Sequence, residues 1–300
     1  MDTLPTRKEI LKGFGLVLFA VLVWSGWSVI SRFGVKSNLT PYDITAIRFT
    51  TAGLILLPIA LKKGFRIGEY GFRSALLMSV LMGACYTTIA IMGMQYAPVS
   101  HAGTTMNGSL VLVTTATGFF LLGEAFSLLQ FSGVFITLAG IILMMTAKAV
   151  NSPDIHLGHA LFLIAALMWG SYIYFVKKWK VDALHAASIV CVFSMCYYMP
   201  FYLLFANKSH INAGNWVAIL SQAAYQGILT AIIAFICFNK GLAIIGAARA
   251  GAMIPLVPAI ATLMAIPLLG EIPSSLEIIG VVTVSVGVLI ASGIIKISSS

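Results

Sequence analysis

Apolar residues run through this chain in long continuous stretches, and polar residues gather in the short joints between them. The stretches lack the strict apolar–polar alternation of a barrel strand, so they read as helices. A helix needs about 20 apolar residues to cross the hydrocarbon core of a bilayer. On that length the sequence predicts ten spans, near 13–35, 41–61, 74–96, 100–122, 127–147, 158–179, 184–206, 215–240, 246–269 and 275–295. No joint is long enough to hold a second, soluble domain. The first stretch is too long for a secretory leader, lacks a small-x-small cleavage site and has a counterpart later in the chain, so it reads as a membrane helix.

That counterpart reflects an internal duplication. Shifting the sequence on itself by 147 positions lays LLGEAFSLLQFSGV (121–134) over LLGEIPSSLEIIGV (268–281), with 11 identities across 104–146 against 251–293. With small gaps the register runs back to Pro58 over Pro200 and Trp24 over Trp169. The chain therefore divides into repeats at 13–147 and 158–295, joined by NSPDIH at 151–156. Each repeat holds five spans. Five is odd, so the second repeat enters the membrane upside down, an inverted-topology arrangement used by many secondary transporters. The expected fold is an all-α membrane protein of ten transmembrane helices in two inverted five-helix repeats.

Composition agrees, at 60% hydrophobic and only 9% charged. The formal charge of +9 reads as loop Lys and Arg held on the cytoplasmic side rather than as a nucleic-acid surface, because no soluble basic segment exists. With the N-terminus inside, the inner segments carry Arg7, Lys8, Lys12, Lys62, Lys63, Arg66, Arg73, Lys177, Lys178, Lys180 and Lys296. The outer joints carry only Arg32, Lys36, Lys148 and Lys208. Both termini are thus expected in the cytoplasm. The four cysteines sit singly in apolar runs, which argues against a disulfide framework or a metal cage. No cofactor or metal is expected.

At this point the sequence resembles the drug/metabolite transporter superfamily, in its ten-helix EamA type. The resemblance rests on the doubled Gly123-Glu124 and Gly270-Glu271, on Arg48-Phe49 in the second span, and on NKGLAIIGAARAGAMIPLVP (239–258). It covers nearly the whole chain. It implies a multi-pass protein of a bacterial inner membrane whose partners are a small-molecule substrate and the lipid bilayer, with a monomer expected. The substrate class it implies is a small amphipathic metabolite, an exported amino acid or relative, with drug export or metabolite uptake as the alternative. An intramembrane enzyme would need His with Ser, Asp or Glu, or paired carboxylates, deep in the spans; none is seen in the sequence.

The Gly-Glu pairs read as helix punctuation. Glycine ends one helix in the left-handed conformation, the glutamate favours the N-terminus of the next, and Ser127-x-x-Gln130 and Ser274-x-x-Glu277 form capping boxes. The aromatic and polar residues at mid-span are the candidate site. Trp24 and Trp169 occupy equivalent central positions, although tryptophan ordinarily collects at the interfaces. Helical spacing adds Trp27, Ser28 and Ser31 beside Trp24, and Tyr172 beside Trp169. Tyr86, Asn107, Tyr225 and Gln226 lie near the centres of other spans. So many polar tips are expected to face a shared cavity. Arg48, too deep to snorkel easily, is expected in that cavity or turned back to Asp43, and Lys240 and Arg249 at the cytoplasmic interface. Pro255 and Pro258 predict a kink and hinge beside the cavity. His101 and His159 read as interfacial. Every carboxylate reads as lying in a terminus, a joint or the end turn of a span, which predicts facilitated diffusion rather than proton coupling through a buried acid.

Overall fold

The computed structural model describes residues 6–147, 154–207, 211 and 215–294. Lys148, Lys208 and Lys296 and the joint residues 151–153 lie outside the described residues. The helices are α1 (Arg7–Lys36), α2 (Pro41–Lys63), α3 (Gly71–Met82), α4 (Ala84–Tyr96), α5 (Val99–Leu122), α6 (Leu128–Thr146), α7 (Ile155–Trp179), α8 (Ala183–Phe205), α9 (Trp216–Gln222), α10 (Ala234–Ile245), α11 (Ala247–Gly251), α12 (Val257–Leu269) and α13 (Ser275–Ala291). Among the described residues nine helical spans are long and apolar enough to cross a bilayer, and α13, at 17 residues, is the tenth. The described residues also hold one isolated bridge, from Ile67 to Gly71 at the start of α3.

The start signals sit where the sequence places them. Ser127 and Ser274 close capping boxes with Gln130 and Glu277, and Thr6 with Glu9 and Thr40 with Asp43 do the same. Each such cap supplies acceptors to N–H groups that have no partner in the first turn, worth about 1 kcal/mol. Gly123 and Gly270 end α5 and α12 at φ 67°, a left-handed conformation that favours glycine.

The packing follows the duplication. The equivalent second helices α2 and α8 lie against each other, and so do the fifth helices α6 and α13. The first helix α1 packs on α10 and α12 of the other repeat, while its counterpart α7 packs on α4 and α5. Every one of these contacts is a two-fold exchange between repeats. In the α6–α13 seam Gly140 meets Val284 and its equivalent Gly287 meets Thr137, so the two backbones approach closely, as small residues allow in lipid.

Two spans depart from regular helix. The third is one continuous apolar run in the sequence but breaks at Gly83, between α3 and α4. A Cβ there would strike Ser194 and the Ser79 carbonyl. Helix α8 serves the freed backbone groups: Ser194 Oγ accepts from Ala84 N at 3.1 Å, and the Tyr197 hydroxyl donates to Ser79 O at 3.2 Å. The eighth span winds as a π-helix over Ala223–Ile233, between α9 and α10. Gly83 and this stretch occupy equivalent third spans of the two repeats, where continuous helices are expected. Backbone irregularity at membrane depth survives only where protein or a cavity covers it. The ninth span is interrupted rather than merely kinked: α11 ends at Gly251, Ile254–Leu256 forms a 3₁₀ turn containing Pro255, and Pro258 lies in the first turn of α12.

Candidate functional site

A cavity of about 370 Å³ lies between the repeats. Trp24, Trp27 and Ser28 of α1 line it, with Arg48 of α2, Tyr86 of α4, Asn107 of α5, and Trp169 and Tyr172 of α7. The stripe on α1 follows from helical spacing, since residues three and four apart share a face. Tyr86 meets Trp169 edge-on at 5.9 Å, and Trp24 lies 4.9 Å from Phe238 of α10. Asn107 donates its amide to its own helix at Gly103 O, 2.6 Å away.

Tyr225 and Gln226 do not line the cavity, and the reasons differ. Tyr225 turns to α1 and donates to Val23 O at 3.0 Å, over Gly26, where any side chain would collide with the ring. Gln226 is wholly buried one layer behind the wall. Its Oε1 accepts from Trp27 Nε1 at 3.0 Å and from Arg48 at 3.3 Å, and its Nε2 donates to Ser31 Oγ at 3.3 Å. It thereby fixes both residues that face the cavity. The π-helical winding carries Tyr225 and Gln226 toward α1.

Arg48 does not reach back to Asp43. That carboxylate caps α2 through Thr40 and accepts from the Tyr202 hydroxyl at 2.6 Å. The guanidinium instead lies over the faces of Phe49 and Trp27, 5.5 and 6.0 Å from the ring centroids, and its Nε is buried with no partner. Lys240, in the middle of α10, and Arg249, in the short α11, are exposed.

Much of the remaining lining is apolar: Phe49, Met82, Val190, Cys191, Phe235, Phe238, Ile254 and Val257 among others. These residues escape the sequence because an apolar side chain facing a cavity looks like one facing lipid. Phe49 and Met82 come from α2 and α3, and the others belong to the first half of α8, the last turns of the eighth span and the first turns of the ninth. The cavity therefore extends from mid-span toward the face where α1 begins, here the N-terminal face.

On the opposite face polar contacts tie α1 to α4, α5 and the α12–α13 joint, beside a second space of about 410 Å³. Arg32, at the end of α1, pairs with Glu271 at 2.9 Å and donates to Met94 O. Lys36 reaches Glu271 at 3.1 Å and Leu269 O at 3.0 Å. Glu271 also accepts from Val99 N at 3.0 Å, the first N–H of α5. The glutamate thus serves the positive end of α5, not of the following helix α13 as its place in the sequence suggests. Burial would raise its pKa, but the Val99 N–H and the Arg32 guanidinium outweigh that and hold the carboxyl below its ordinary range.

Beside it lies a second departure from expectation. His101 and His159 are wholly buried in protein rather than solvated, and Glu277 is 1% exposed. His101 Nδ1 is 2.7 Å from His159 Nε2, and His101 Nε2 is 3.0 Å from Glu277 Oε1, which also accepts from Ser100 at 2.9 Å. All four residues sit in the first turns of α5, α7 and α13, where a single helix would leave them near water. Those three ends pack together and enclose them. A buried acid therefore exists in the bundle, contrary to the reading of each span taken alone. Among the described residues no group of three His, Cys, Asp or Glu is placed to hold a metal ion.

The model of the EamA-like transporter family matches the chain twice, over residues 11–146 and 156–293. An uncharacterized transporter of Clostridium kluyveri is 22% identical over 93% of this chain and 92% of its own length. The uncharacterized transporter YyaM of Bacillus subtilis is likewise 22% identical, over 91% of this chain and 93% of its own. A solved crystal structure shares the fold at TM-score 0.62 and 19% identity, covering 96% of this chain and 97% of that one.

Proposed function

Because the chain belongs to the EamA-like transporter family, we propose that it is a secondary transporter that carries a small amphipathic metabolite through this cavity by alternating access. Amino acids or related compounds, exported from the cell, are the leading substrates, ahead of drug export or metabolite uptake. The observation that carries the reading is the cavity itself: a partly polar, aromatic-lined space between two inverted repeats, open toward one face and latched at the other. With both termini in the cytoplasm of a bacterial cell, on the Lys and Arg bias of the joints, the open face is the cytoplasmic one. Trp24, Trp27, Ser28, Arg48, Tyr86, Asn107, Trp169 and Tyr172 then contact substrate, and Gln226 positions Trp27 and Arg48. A monomer suffices for this scheme. Purified protein in liposomes, assayed for counterflow of a panel of radiolabelled amino acids and their derivatives, tests it; absence of flux for every compound that binds would reject transport.

A proton-coupled cycle is favoured over simple facilitated diffusion by one observation, the buried His101–His159–Glu277 chain. Flux with and without an imposed pH gradient separates the two. Accumulation driven by the gradient and lost in Glu277→Gln selects coupling, whereas flux indifferent to the gradient selects facilitated diffusion.

A further inference from the structure

The charge balance of the cavity narrows the substrate, given that the chain transports through it. Arg48 is the one Lys or Arg in the lining, and no Asp or Glu lines it. Among the described residues Arg48 makes no ion pair. The nearest acid in sequence, Asp43, is engaged by Thr40 and Tyr202, and Glu271 and Glu277 are occupied at the opposite face. A guanidinium presents five N–H donors in a fork. Here it has a single 3.3 Å hydrogen bond to Gln226, two aromatic faces and a buried Nε with no acceptor. A charge buried within a membrane span ordinarily pairs with a counter-charge or a backbone carbonyl. Among the described residues this one has neither, and it borders a space.

We infer that the substrate supplies the missing charge: a small organic monoanion whose carboxylate docks on Arg48 and whose apolar or aromatic body lies among Trp24, Tyr86, Trp169 and Phe238. A carboxylate matches the guanidinium fork with two parallel hydrogen bonds. The cavity volume, near the lower end of the roughly 300–1,000 Å³ range of ligand sites, holds a small body. An ammonium group finds no acid in the lining, and Asn107 has committed its amide N–H to Gly103. A cation would also sit beside Arg48 with like charge. Within the class of amino acids and related compounds this selects the related acids without an amine, which bind better than the zwitterion.

Four probes of one shape test this on the full-length protein in lipid nanodiscs at pH 7.5: phenylacetate, phenylalanine, phenethylamine and 2-phenylethanol. Binding is read from quenching of the cavity tryptophans and from thermal stabilisation. Phenylacetate is expected to bind at least tenfold more tightly than phenylalanine or 2-phenylethanol, with phenethylamine weakest. In Arg48→Gln the preference of phenylacetate over 2-phenylethanol should vanish while 2-phenylethanol still binds, which shows that the cavity persists. Equal or tighter binding of phenethylamine or phenylalanine, an unchanged preference in Arg48→Gln, or no binding of any probe overturns the inference. Binding with the expected preference but no flux of phenylacetate into liposomes would instead reject the transport reading and leave this one standing.

Discussion

Arg32 Nε lies 2.9 Å from Glu271 Oε1, and the duplication places a second copy of that pair on the other face of the molecule. The offset that lays Trp24 on Trp169 lays Arg32 on Lys177, and the offset of the Gly-Glu motif lays Glu271 on Glu124. Lys177 and Glu124 are indeed 3.1 Å apart. The two pairs differ in surroundings. At Arg32 and Glu271 the side chains are 16% and 14% exposed, at Lys177 and Glu124 51% and 40%. The first is embedded in further hydrogen bonds. The second stands largely in solvent on the other face.

The two glutamates should therefore differ in weight. Glu271→Ala is expected to lower stability by about 2 kcal/mol, below the 3–5 of a fully buried pair because both side chains keep some solvent contact. Glu124→Ala should change it by less than about 1 kcal/mol, as an exposed pair does. Thermal unfolding of both variants in the same detergent checks this; equal losses would mean that the pair at Glu271 holds its face no more tightly than the pair at Glu124 holds the other.

The contribution of Glu271 should depend on pH with a fixed sign. Its folded pKa is depressed from 4.5, so the unfolded chain binds the proton first. The stabilisation is present in full above the unfolded value and is lost as pH falls toward the folded one. The stability gap between wild type and Glu271→Gln should therefore be constant near neutrality and shrink as the solution is acidified below 4.5. A gap that widens on acidification contradicts the assigned hydrogen bonds.

Trp24→Ala and Trp169→Ala should each slow transport about tenfold or more while expression stays within about twofold, since a desolvated aromatic contact is worth about 1.4 kcal/mol. Initial rates at matched protein levels measure this. Normal rates in both variants would remove these residues from the substrate path.

The proline segment should act on rate more than on affinity. Replacing Pro255 and Pro258 together with Ala restores two backbone N–H groups and lets the ninth span run as one helix. Turnover is expected to fall more than substrate affinity. An equal fall in both points to a damaged binding surface instead.

Gly83→Ala should cost about 2 kcal/mol or more of stability by overpacking. Ser194→Ala should not rescue it, because the new methyl still meets the Ser79 carbonyl. Full rescue in the double variant would show that the serine alone sets the limit.

The ten spans, the duplication and the capping motifs were legible in the sequence because each depends on neighbours along one helix. So was most of the polar part of the cavity wall. The irregular third and eighth spans were not: Gly83 sits in an unbroken apolar run, and what opens the helix there is Ser194 and Tyr197 from another helix. His101, His159 and Glu277 misled for the same reason, since their depth is set by three helix ends meeting and not by position within any one span. Tyr225 and Gln226 have the residue types of a cavity wall, yet the π-helical turn hands them to α1. The mate of Glu271 lies more than 200 positions away in the chain.

An unpaired Arg48 has an electrical consequence. If the arginine stays with the protein through the cycle, each turnover moves one negative charge on the substrate across the field. A potential of 100 mV, inside negative, then contributes about 2.3 kcal/mol per charge, equivalent to roughly a 50-fold concentration ratio, and its sign drives anions outward. In a cycle that moves no proton this drive alone suffices for export, whereas a proton carried with the anion would cancel it and a proton exchanged for the anion would double it. Polarising the same liposomes with a potassium–valinomycin diffusion potential should bias the flux toward the positive side and reverse it when the potential is reversed.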